Sequence, residues 1–389
     1  MKIAFISNFL NDHQLPFCTA MINKIGVDNF RFIATTRMDA DRVEMSFRDM
    51  NEEYPFVIKA YDPNFEDEAY SVAYEYDVII IGSASDKYIQ QRLKSHKLTF
   101  RYYERIYKKP LEWRYYPSEL FYSILKNHRK NLYLLAAGAF CSYDFSKTFS
   151  FINKSFKWGY FPQTKIYPDI EDAFLFKQKD ILGLKHNTAV SILWVGRMID
   201  WKHPELPILL AKQLKLGGYS FHINMVGTGA KYQDIIRLIN KEDVKDEVSL
   251  LGPMSPQKVR EHMEASDIFI FTSDKNEGWG AVLNESMNSA CAVVASRSIG
   301  AVPYLISNGV NGVSFENGDV NDLYSKVVEL VNSPDLRQEY GRNAYKTIVN
   351  EWNANVACER FLNLIQCLSN RQASPYKSGL CSKAEIIQG

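Results

Sequence analysis

The sequence predicts an α/β protein in which two Rossmann-like, doubly wound domains face each other across an interdomain cleft. Its 389 residues exceed what one hydrophobic core normally serves, which favours two domains. Short β-rich apolar runs alternate with longer amphipathic stretches, as in a parallel sheet covered by helices on both faces. The series occurs twice, and an irregular stretch at residues 160–188 separates the two sets. Ligands of such sheets bind at the carboxyl ends of strands, so functional motifs should directly follow the apolar runs.

The apolar runs predict the strands, and the segments between them predict helices. In the first half, the predicted strands cover residues 3–7, 30–36, 77–82, 98–103 and 132–139. In the second half, they cover residues 191–196, 221–227, 248–252, 268–273 and 292–296. Helix-length segments of the second half cover residues 205–216, 230–241, 256–265 and 281–290.

These elements predict how the chain divides into domains. An amino-terminal domain is expected at residues 1–165 and a carboxy-terminal domain at residues 188–350, with a linker between them. A helix at about 351–370 is expected to pack back on the first domain. The tail 371–389 mixes Ser, Gly, Pro and Lys, which predicts a flexible segment.

Composition excludes several classes of protein. Lys and Arg total 46 and Asp and Glu total 45, so the net charge of +1 gives no overall case for a nucleic-acid partner. No segment reaches the roughly 18 to 20 apolar residues that span a bilayer, and the first residues predict a strand rather than a signal peptide. The six cysteines show neither a Cys-x-x-Cys pair nor metal-ligand spacing. Reduced thiols in a cytoplasmic protein are therefore expected.

The most informative segment is DIFIFTSDKNEGWGAVLNESMNSACAVVAS, residues 267–296. A predicted strand ends before a polar loop with two glycines, and a helix begins near Ala281. Glu277 lies in the loop and Glu285 lies within the first turns of the helix, so both can address one ligand over the helix N-terminus. That terminus suits phosphate oxygens, and a carboxylate suits vicinal hydroxyls such as those of a ribose. Alternatively, Glu277 is a solvated loop residue and Glu285 an ordinary acid at a helix start.

Charged and glycine residues also follow the other predicted strands of the second half. Arg197 and Lys202 follow the strand SILWVG, where two cations can neutralise a diphosphate, although a basic surface turn is the alternative. Gly227 and Gly229 follow the next strand, in a pattern that mostly reports a tight strand-to-helix turn. The loop at residues 252–254 follows the third strand.

Together these segments resemble the carboxy-terminal half of glycosyltransferase family 4, which are retaining enzymes of the GT-B fold. The family pattern places Gly-Arg-x4-Lys, Gly-x-Gly, Leu-Gly and Glu-Gly-x-Gly-x4-Glu after successive strands. The match covers roughly residues 190–310, and residues 137–147 and 156–162 are similar to bacterial capsule, O-antigen and exopolysaccharide transferases. In this sequence the pattern reads Gly196-Arg197 with Lys202, Gly227/Gly229, Leu251-Gly252, Ser266-Asp267 and Glu277-Gly278-Trp279-Gly280 with Glu285.

The resemblance implies roles for individual residues. Arg197 and Lys202 would bind the diphosphate of a nucleotide-sugar donor, with UDP the favoured nucleotide, and Glu277 would lie near the donor-sugar hydroxyls. These three are the expected catalytic residues. Glu285 would accept hydrogen bonds from the ribose. The donor is a substrate, and neither a cofactor nor an obligatory metal is expected. The other donor-binding residues that the resemblance implies are Gly227, Gly229, Gly252, Pro253, Met254, Gly278, Trp279, Gly280 and Ala281.

The amino-terminal half departs from the family pattern. The loop after its first strand lacks the usual glycine pair, but Asn11 and His13 are candidates for contacting an acceptor, with a surface histidine as the alternative. Many relatives carry a histidine near the donor sugar after the fourth strand. This sequence has none there, and Arg101, Glu104 and Arg105 are the candidates for polar contacts.

A basic aromatic region lies at residues 92–130. It has eleven Lys and Arg residues against three acids, together with nine aromatic residues. Such a composition suits a peripheral contact with an anionic membrane that carries a lipid-linked acceptor. A solvated helix face with aromatic residues in the core is the alternative, and single-stranded nucleic acid is a lesser one, since no RNA-binding signature accompanies the region.

The expected protein is a retaining glycosyltransferase of cell-surface polysaccharide synthesis. It would move a sugar from a nucleotide diphosphate to a hydroxyl of a lipid-linked glycan or oligosaccharide, in the cytoplasm or on the inner face of the membrane. No side chain stands out as a covalent nucleophile, which favours front-face displacement. The alternatives are another GT-B enzyme, an epimerase or a phosphorylase, and a non-catalytic module that binds glycan or membrane.

Overall fold

The computed structural model describes residues 1–38, 49–107, 115–178 and 189–388. The chain forms two compact units. Unit 1 comprises Met1–Gln163 and Trp352–Gly389, and unit 2 comprises Thr164–Glu351. Each unit is built on one parallel β-sheet, so the predicted α/β class is confirmed.

The sheet of unit 1 has seven strands within the described residues: β1 (Ile3–Ser7), β2 (Phe30–Ala34), β3 (Val57–Lys59), β4 (Val78–Ile81), β5 (Thr99–Tyr103), β6 (Leu132–Ala137) and β7 (Ser155–Trp158). Their order is β3-β2-β1-β4-β5-β6-β7, and all neighbours are parallel. The strand order reverses between β1 and β4, where a ligand crevice forms in open sheets of this kind.

The helices of unit 1 cover the two faces of this sheet. Helix Ala354–Ser369 begins at the N-cap Asn353, packs on helix Leu15–Ile25 and places Phe361 among the buried rings of Phe17 and Trp158. The last helix of the described chain is thereby part of the core of unit 1. The helices are Leu15–Ile25, Met50–Glu53, Pro63–Glu75, Gln90–Lys94, Tyr116–Asn127, Cys141–Ser146 and Ala354–Ser369.

The sheet of unit 2 has six described strands: β8 (Val190–Val195), β9 (Phe221–Val226), β10 (Val248–Gly252), β11 (Ile268–Phe271), β12 (Ala292–Ser296) and β13 (Val313–Phe315). Their order is β10-β9-β8-β11-β12-β13, with parallel neighbours. The order reverses between β8 and β11, which are the strands that precede Arg197 and Glu277. The helices are Glu171–Gln178, Leu206–Leu216, Tyr232–Lys241, Pro256–Ala265, Ala281–Asn288, Val302–Leu305, Val320–Asn332 and Pro334–Asn350.

The sequence analysis missed three short strands, β3, β7 and β13. Strands β3 and β7 each include a lysine, Lys59 and Lys157, and each is only three or four residues long. All three lie at or near a sheet edge, where a strand needs no continuous apolar run. A search for continuous apolar runs therefore passes over them.

The prediction of a flexible tail is wrong for residues 380–384. Lys157 N donates to Ser382 O (2.8 Å), and Ala384 N donates to Ser155 O (2.9 Å), so the tail pairs antiparallel with β7. These bonds form an isolated antiparallel bridge that ties the tail to the outer edge of β7. Its buried residues are Leu380, Cys381, Ser382 and Ala384.

Unit 2 begins at Thr164 rather than at residue 188. Helix Glu171–Gln178 belongs to it because the buried Lys177 Nζ donates to the carbonyl of Ser266 (2.7 Å), just after helix Pro256–Ala265. The last part of the predicted linker, residues 179–188, which includes Gly183, lies outside the described residues.

Candidate functional site

Loops that follow β8, β9 and β10 are joined by backbone hydrogen bonds. Gly196 N, after β8, donates to Val226 O of β9 (3.0 Å). Gly227 N, after β9, donates to Gly252 O at the end of β10 (2.8 Å). The three predicted motif segments therefore meet at the carboxyl edge of one sheet, where such sheets bind ligands.

Gly227 and Gly229 allow two of these loops to pack closely. A Cβ at Gly227 (φ +131°) would lie 1.9 Å from Gly196 O, and one at Gly229 (φ +157°) would lie 2.5 Å from Met198 O. Contact between backbones accounts for both glycines. Their predicted contact with a donor stays a prediction.

The structure brings Lys202 and Glu277 together. Lys202 Nζ contacts Glu277 Oε2, and Ser273 Oγ donates to the same carboxylate oxygen (3.1 Å). The Lys202 and Glu277 side chains are each 13% exposed, which leaves the pair partly screened by solvent. Two of the three predicted catalytic residues thus form one polar cluster.

Trp201 links this cluster to the third predicted residue, Arg197. The Trp201 ring centroid lies 4.6 Å from Lys202 Nζ and 5.9 Å from Arg197 Cζ, within the range of cation–π attraction. Arg197 itself is exposed, so its guanidinium is accessible to a ligand. The sequence analysis assigned no role to Trp201, although its place between two cations was a usable signal.

The turn that carries Lys202 is held by buried side chains of neighbouring strands. Thr272 Oγ1 donates to Lys202 O (2.7 Å) and accepts from Trp194 Nε1 (2.8 Å). Asp274 N donates to Trp201 O (2.9 Å). These bonds fix the loop after β8 against the loop after β11. No motif in the sequence pointed to Trp194 or Thr272, because their link exists only once the strands pair.

Gly280 begins the helix that carries Glu285. Its φ is +92°, and a Cβ there would lie 2.5 Å from Phe271 Cε1, so a larger residue would disturb the turn. Gly280 supplies no side-chain cap to helix Ala281–Asn288. Gly278 is buried and Glu285 is half-buried on the second turn of the helix.

Trp279 is a core residue, which limits its predicted donor contact to the backbone. Its side chain is fully buried, and Nε1 donates to Asn284 Oδ1 (2.8 Å). The Trp279 carbonyl accepts from Ala301 N (3.3 Å), and Gly300 N donates to Glu277 O (3.1 Å). The buried indole therefore anchors the loop that carries Glu277. The turn with Gly300 and Ala301 is hydrogen-bonded to the same loop.

The loop after β10 contains the remaining predicted donor residues. Gly252 adopts φ +72°, Pro253 is exposed and Met254 is half-buried. Ser255 then caps helix Pro256–Ala265 by accepting from Lys258 N (3.4 Å). Pro253 and Met254 are thus presented at the sheet edge, with no role yet tested.

In unit 1, Asn11 and His13 shape the loop after β1. Asn11 Oδ1 accepts from His13 N (3.0 Å), and Asn11 O accepts from Gln14 N (3.0 Å), which directs the chain into helix Leu15–Ile25. The His13 ring stacks on Tyr160, with centroids 5.7 Å apart. Both residues lie near the carboxyl end of β1, and their contact with an acceptor stays a prediction.

The predicted polar candidates after β5 have partners inside unit 1. The buried Arg105 guanidinium donates to Asp144 (3.4 Å), so Arg105 is an internal ion-pair residue rather than an exposed contact. Arg101 donates twice to Asp86 (2.7 and 3.1 Å) and lines a cavity of about 530 Å³. Glu104 is half-buried.

The basic aromatic region is less basic at the surface than its composition suggests. Arg92 is fully buried and donates to the carbonyls of Tyr76 (2.5 Å) and Leu98 (2.6 Å), and Arg101 and Arg105 are also internal. Three of the eleven cations therefore do not contribute to a surface patch. The residues at 108–114 lie outside the described part of the chain.

The clearest surface feature of this region is helix Tyr116–Asn127, which has no buried residue. Phe121 and Tyr122 are 60% and 58% exposed, and Ile124 and Leu125 are also exposed. Across the described residues, no helix has the length and apolar character to cross a membrane.

His203 lies beside the site and has a shifted pKa. It follows Lys202 with φ +49°, and a hydrogen bond between its Nδ1 and Glu205 Oε1 (2.7 Å) raises its pKa. Burial raises the pKa of the thiols of Cys18, Cys141 and Cys291, which disfavours the reactive thiolate.

Comparison with known proteins identifies the type of domain in unit 2. Residues 177–347 match the family model described as glycosyl transferases group 1. Over these residues, unit 2 is similar to the group 1 glycosyltransferases. The match includes Arg197, Lys202, Glu277 and Glu285, the residues of the site.

Two curated relatives each match over less than half of the chain. The poly(ribitol-phosphate) alpha-N-acetylglucosaminyltransferase of Staphylococcus aureus is 29% identical over 173 residues, which are 44% of this chain and 34% of that protein. The GDP-mannose-dependent monoacylated alpha-(1-6)-phosphatidylinositol monomannoside mannosyltransferase of Corynebacterium glutamicum is 28% identical over 191 residues, 48% of this chain and 49% of that protein. The chain thus spans less than half the length of each.

The likeness of the fold to solved structures extends over both units. The structure of Anabaena HepE in complex with UDP matches with a TM-score of 0.71 and covers 95% of this chain and all of that one, at 17% identity. The expected GT-B type of α/β fold, with two Rossmann-like domains, is confirmed.

Proposed function

We propose that the protein is a retaining glycosyltransferase. It moves a sugar from a nucleotide diphosphate to a hydroxyl of a lipid-linked glycan in cell-surface polysaccharide synthesis. The observation that carries the proposal is the cluster of Arg197, Lys202 and Glu277 around Trp201, at the point where the strand order of unit 2 reverses. Two cations and a carboxylate at that edge suit a diphosphate joined to a sugar.

The cations bind the donor diphosphate. Arg197 is exposed and offers a planar fork of donors, and Lys202 offers a point charge that Glu277 holds in place. Helix Ala281–Asn288 also contributes the backbone N–H groups of its first turn. Its N-cap residue, Gly280, has no side chain that could accept a hydrogen bond from them. Together they stabilise the negative charge of the departing nucleotide.

In the proposed reaction the acceptor hydroxyl oxygen bonds to the anomeric carbon on the face from which the diphosphate leaves. The bond from the anomeric carbon to the diphosphate oxygen breaks, and a phosphate oxygen takes the acceptor proton. Glu277 accepts hydrogen bonds from donor-sugar hydroxyls and keeps Lys202 oriented toward the diphosphate. The configuration of the sugar is retained, and no step needs a metal.

A UDP-sugar is the proposed donor. The HepE structure with a similar fold binds UDP, which supports the same nucleotide here. Glu285 would accept from the ribose hydroxyls, and the loop with Gly252, Pro253 and Met254 would flank the base. Each of these residues lies at the carboxyl edge of the sheet of unit 2.

The acceptor is proposed to be lipid-linked and to be met at the inner face of the cell membrane. Helix Tyr116–Asn127 supports this, because its exposed Phe121 and Tyr122 suit an interfacial position. Lys126, Arg129 and Lys130 follow on the same segment, and each cation near an anionic leaflet contributes about 1 kcal/mol. The Corynebacterium relative, whose name includes a monoacylated phosphatidylinositol mannoside, supports a lipid acceptor.

The test is a transfer assay with a panel of UDP- and GDP-sugars, in the presence and absence of a lipid-linked acceptor. We expect a glycosylated acceptor with retained configuration and loss of transfer by orders of magnitude in Arg197→Ala. Lys245→Ala is the matched control, since this exposed lysine precedes β10 at the opposite edge of the sheet. Conversion of the donor without acceptor would indicate an epimerase. Donor binding without turnover would indicate a non-catalytic module.

A further inference from the structure

Unit 1 contains a polar cavity of about 440 Å³ that the proposed transfer reaction does not use. It lies between residues 142–155 and the tail that pairs with β7. Its volume falls within the range of sites for small molecules. The polar residues that line it are Ser142, Ser146, Ser150, Asn153, Ser155, Lys377, Lys383 and Glu385, and its apolar walls include Phe151, Ile152 and Ile386.

Ser142 supplies the observation that points to a ligand. Its residue is 4% exposed, and its Oγ has no hydrogen-bond partner among the described residues. A buried hydroxyl without a partner is unfavourable, because its bonds to water are lost and not replaced. Ser142 lines the cavity, and rotation of its side chain toward the cavity would let a polar ligand supply the missing partner of Oγ.

The other serine hydroxyls of the cavity are already arranged by local bonds. Ser146 Oγ donates to Tyr143 O (2.7 Å), and Ser155 Oγ donates to Phe151 O (3.2 Å). Each oxygen still has a lone pair that can accept from a ligand hydroxyl. The cavity thus offers several serine side chains whose hydroxyls suit a polyol.

The charge of the cavity is positive. Lys377 and Lys383 form no ion pair with any carboxylate in the part of the chain that the structure describes, and Lys383 Nζ donates to Asn153 Oδ1 (2.7 Å). The one carboxylate of the lining, Glu385, is bound by Lys157 Nζ at 2.9 Å. Two ammonium groups beside these hydroxyls favour an anionic ligand.

We propose that this cavity binds a phosphorylated sugar, with the phosphate on Lys377 and Lys383 and the sugar hydroxyls on Ser142 and its neighbouring serines. The ligand is either a free sugar phosphate or a phosphate-bearing unit of a longer glycan, which share the same chemistry. The tail completes the site, because Lys377 and Lys383 both belong to it. The inference goes beyond the proposed transfer and does not depend on it.

The test is calorimetric titration of the full chain with glucose 6-phosphate, inorganic phosphate and glucose. The measurement uses the Arg197→Ala/Lys202→Ala variant, so that phosphate cannot bind the donor cations. We expect glucose 6-phosphate to bind more tightly than inorganic phosphate, and glucose to bind least. A phosphodiester-linked oligosaccharide of two sugars is titrated next. If the oligosaccharide binds more tightly than glucose 6-phosphate, the ligand is a phosphate-bearing unit of a longer glycan. If it binds more weakly, the ligand is a free sugar phosphate.

Lys383→Ala, added to that variant, should weaken glucose 6-phosphate binding about tenfold or more, the loss expected for one hydrogen bond to a charged group. Ser142→Ala, added in the same way, should weaken it by about three- to tenfold, the loss expected for one hydrogen bond to a neutral sugar hydroxyl. Lys24→Ala, at an exposed lysine elsewhere in unit 1, should leave the affinity unchanged. Ser142→Ala should keep its melting temperature, since its hydroxyl has no bond to lose.

No binding of glucose 6-phosphate at millimolar concentration would overturn the inference. Equal affinity in the parent, Ser142→Ala and Lys383→Ala variants would overturn it as well. Because the experiment measures binding in a chain without the donor cations, its failure is distinct from a failure of sugar transfer.

Discussion

Lys202 Nζ contacts Glu277 Oε2 although 75 residues separate them in the chain. The contact joins the loop after β8 to the loop after β11, the two central strands around the reversal of strand order. A cation that binds a diphosphate and a carboxylate that binds a sugar are thereby held as one unit. The two side chains should behave as one unit in kinetics.

We expect Lys202→Ala and Glu277→Ala each to lower kcat/KM for the donor by about 10² to 10³-fold, as for loss of a group that stabilises developing charge. The double variant should lose little more than the worse single variant, because each residue acts through the other. Steady-state kinetics of the two single variants and the double variant measure this double-mutant cycle, with Lys245→Ala as the control. Fully additive losses would show that the two residues act independently.

Gly227, which follows β9, and Gly252, which ends β10, should differ in how much an alanine substitution destabilises unit 2. Gly227→Ala should destabilise unit 2 by more than about 3 kcal/mol, because its Cβ would lie 1.9 Å from Gly196 O. Gly252→Ala should cost only about 1–2 kcal/mol, since nothing lies within 4 Å of its Cβ and only its φ of +72° is unfavourable. Urea unfolding compares them. Similar losses would contradict the packing role of Gly227.

Thr272 should affect both stability and catalysis through its hydroxyl. Thr272→Val removes the acceptor for Trp194 Nε1 and the donor to Lys202 O, which should cost about 1–3 kcal/mol in the free energy of unfolding. Thr272→Val should also lower kcat/KM at temperatures well below its melting temperature, where it is folded, because the turn that carries Lys202 shifts. Thr272→Ser keeps both bonds and should restore both quantities. Normal kcat/KM in a destabilised Thr272→Val would limit Thr272 to a structural role.

The pair of His203 and Glu205 should make stability depend on pH. The folded-state pKa of His203 is raised by this hydrogen bond, so the stabilisation is fully present below the unfolded-state pKa of about 6.5. It is lost as the pH rises through the folded-state pKa. The difference in unfolding free energy between wild type and Glu205→Gln should shrink between about pH 5.5 and 8.5.

Lys231→Ala is the control for this pH series, since Lys231 pairs with Asp200, and this hydrogen bond raises the pKa of Lys231 from its ordinary value of 10.5, above that interval. Its difference from wild type should stay constant. If the difference in unfolding free energy between wild type and Glu205→Gln is also constant with pH, the bond to Glu205 does not raise the pKa of His203.

Helix Tyr116–Asn127 should bind anionic vesicles. Phe121→Ser combined with Leu125→Ser removes two exposed apolar side chains, and partitioning into phosphatidylglycerol-containing vesicles should fall about tenfold or more. Leu216→Ser, at a side chain that is 78% exposed in unit 2, should not change it. Sedimentation with vesicles measures the effect. Unchanged partitioning of the double variant would exclude this helix as the membrane contact.

Much of the fold was predictable because buried parallel strands read as continuous apolar runs, as in β4 and β12. That Lys202 and Glu277 belong to one site was also predictable, from spacing and resemblance. The sequence did not predict which polar residues are buried. Arg92 counts as a surface cation by composition, but it binds backbone carbonyls inside unit 1. Trp279 sits in a ligand motif, yet its indole packs inward. Such outcomes depend on contacts between segments distant in sequence.

The tail of unit 1 also governs how the protein behaves in a crowded solution. A bare edge strand such as β7 would offer the backbone groups of Ser155 and Lys157 to any extended chain, and such edges promote aggregation. Residues 382–384 occupy these groups from within the same molecule. The segment that completes the polar cavity thus also shields the sheet from intermolecular strand exchange.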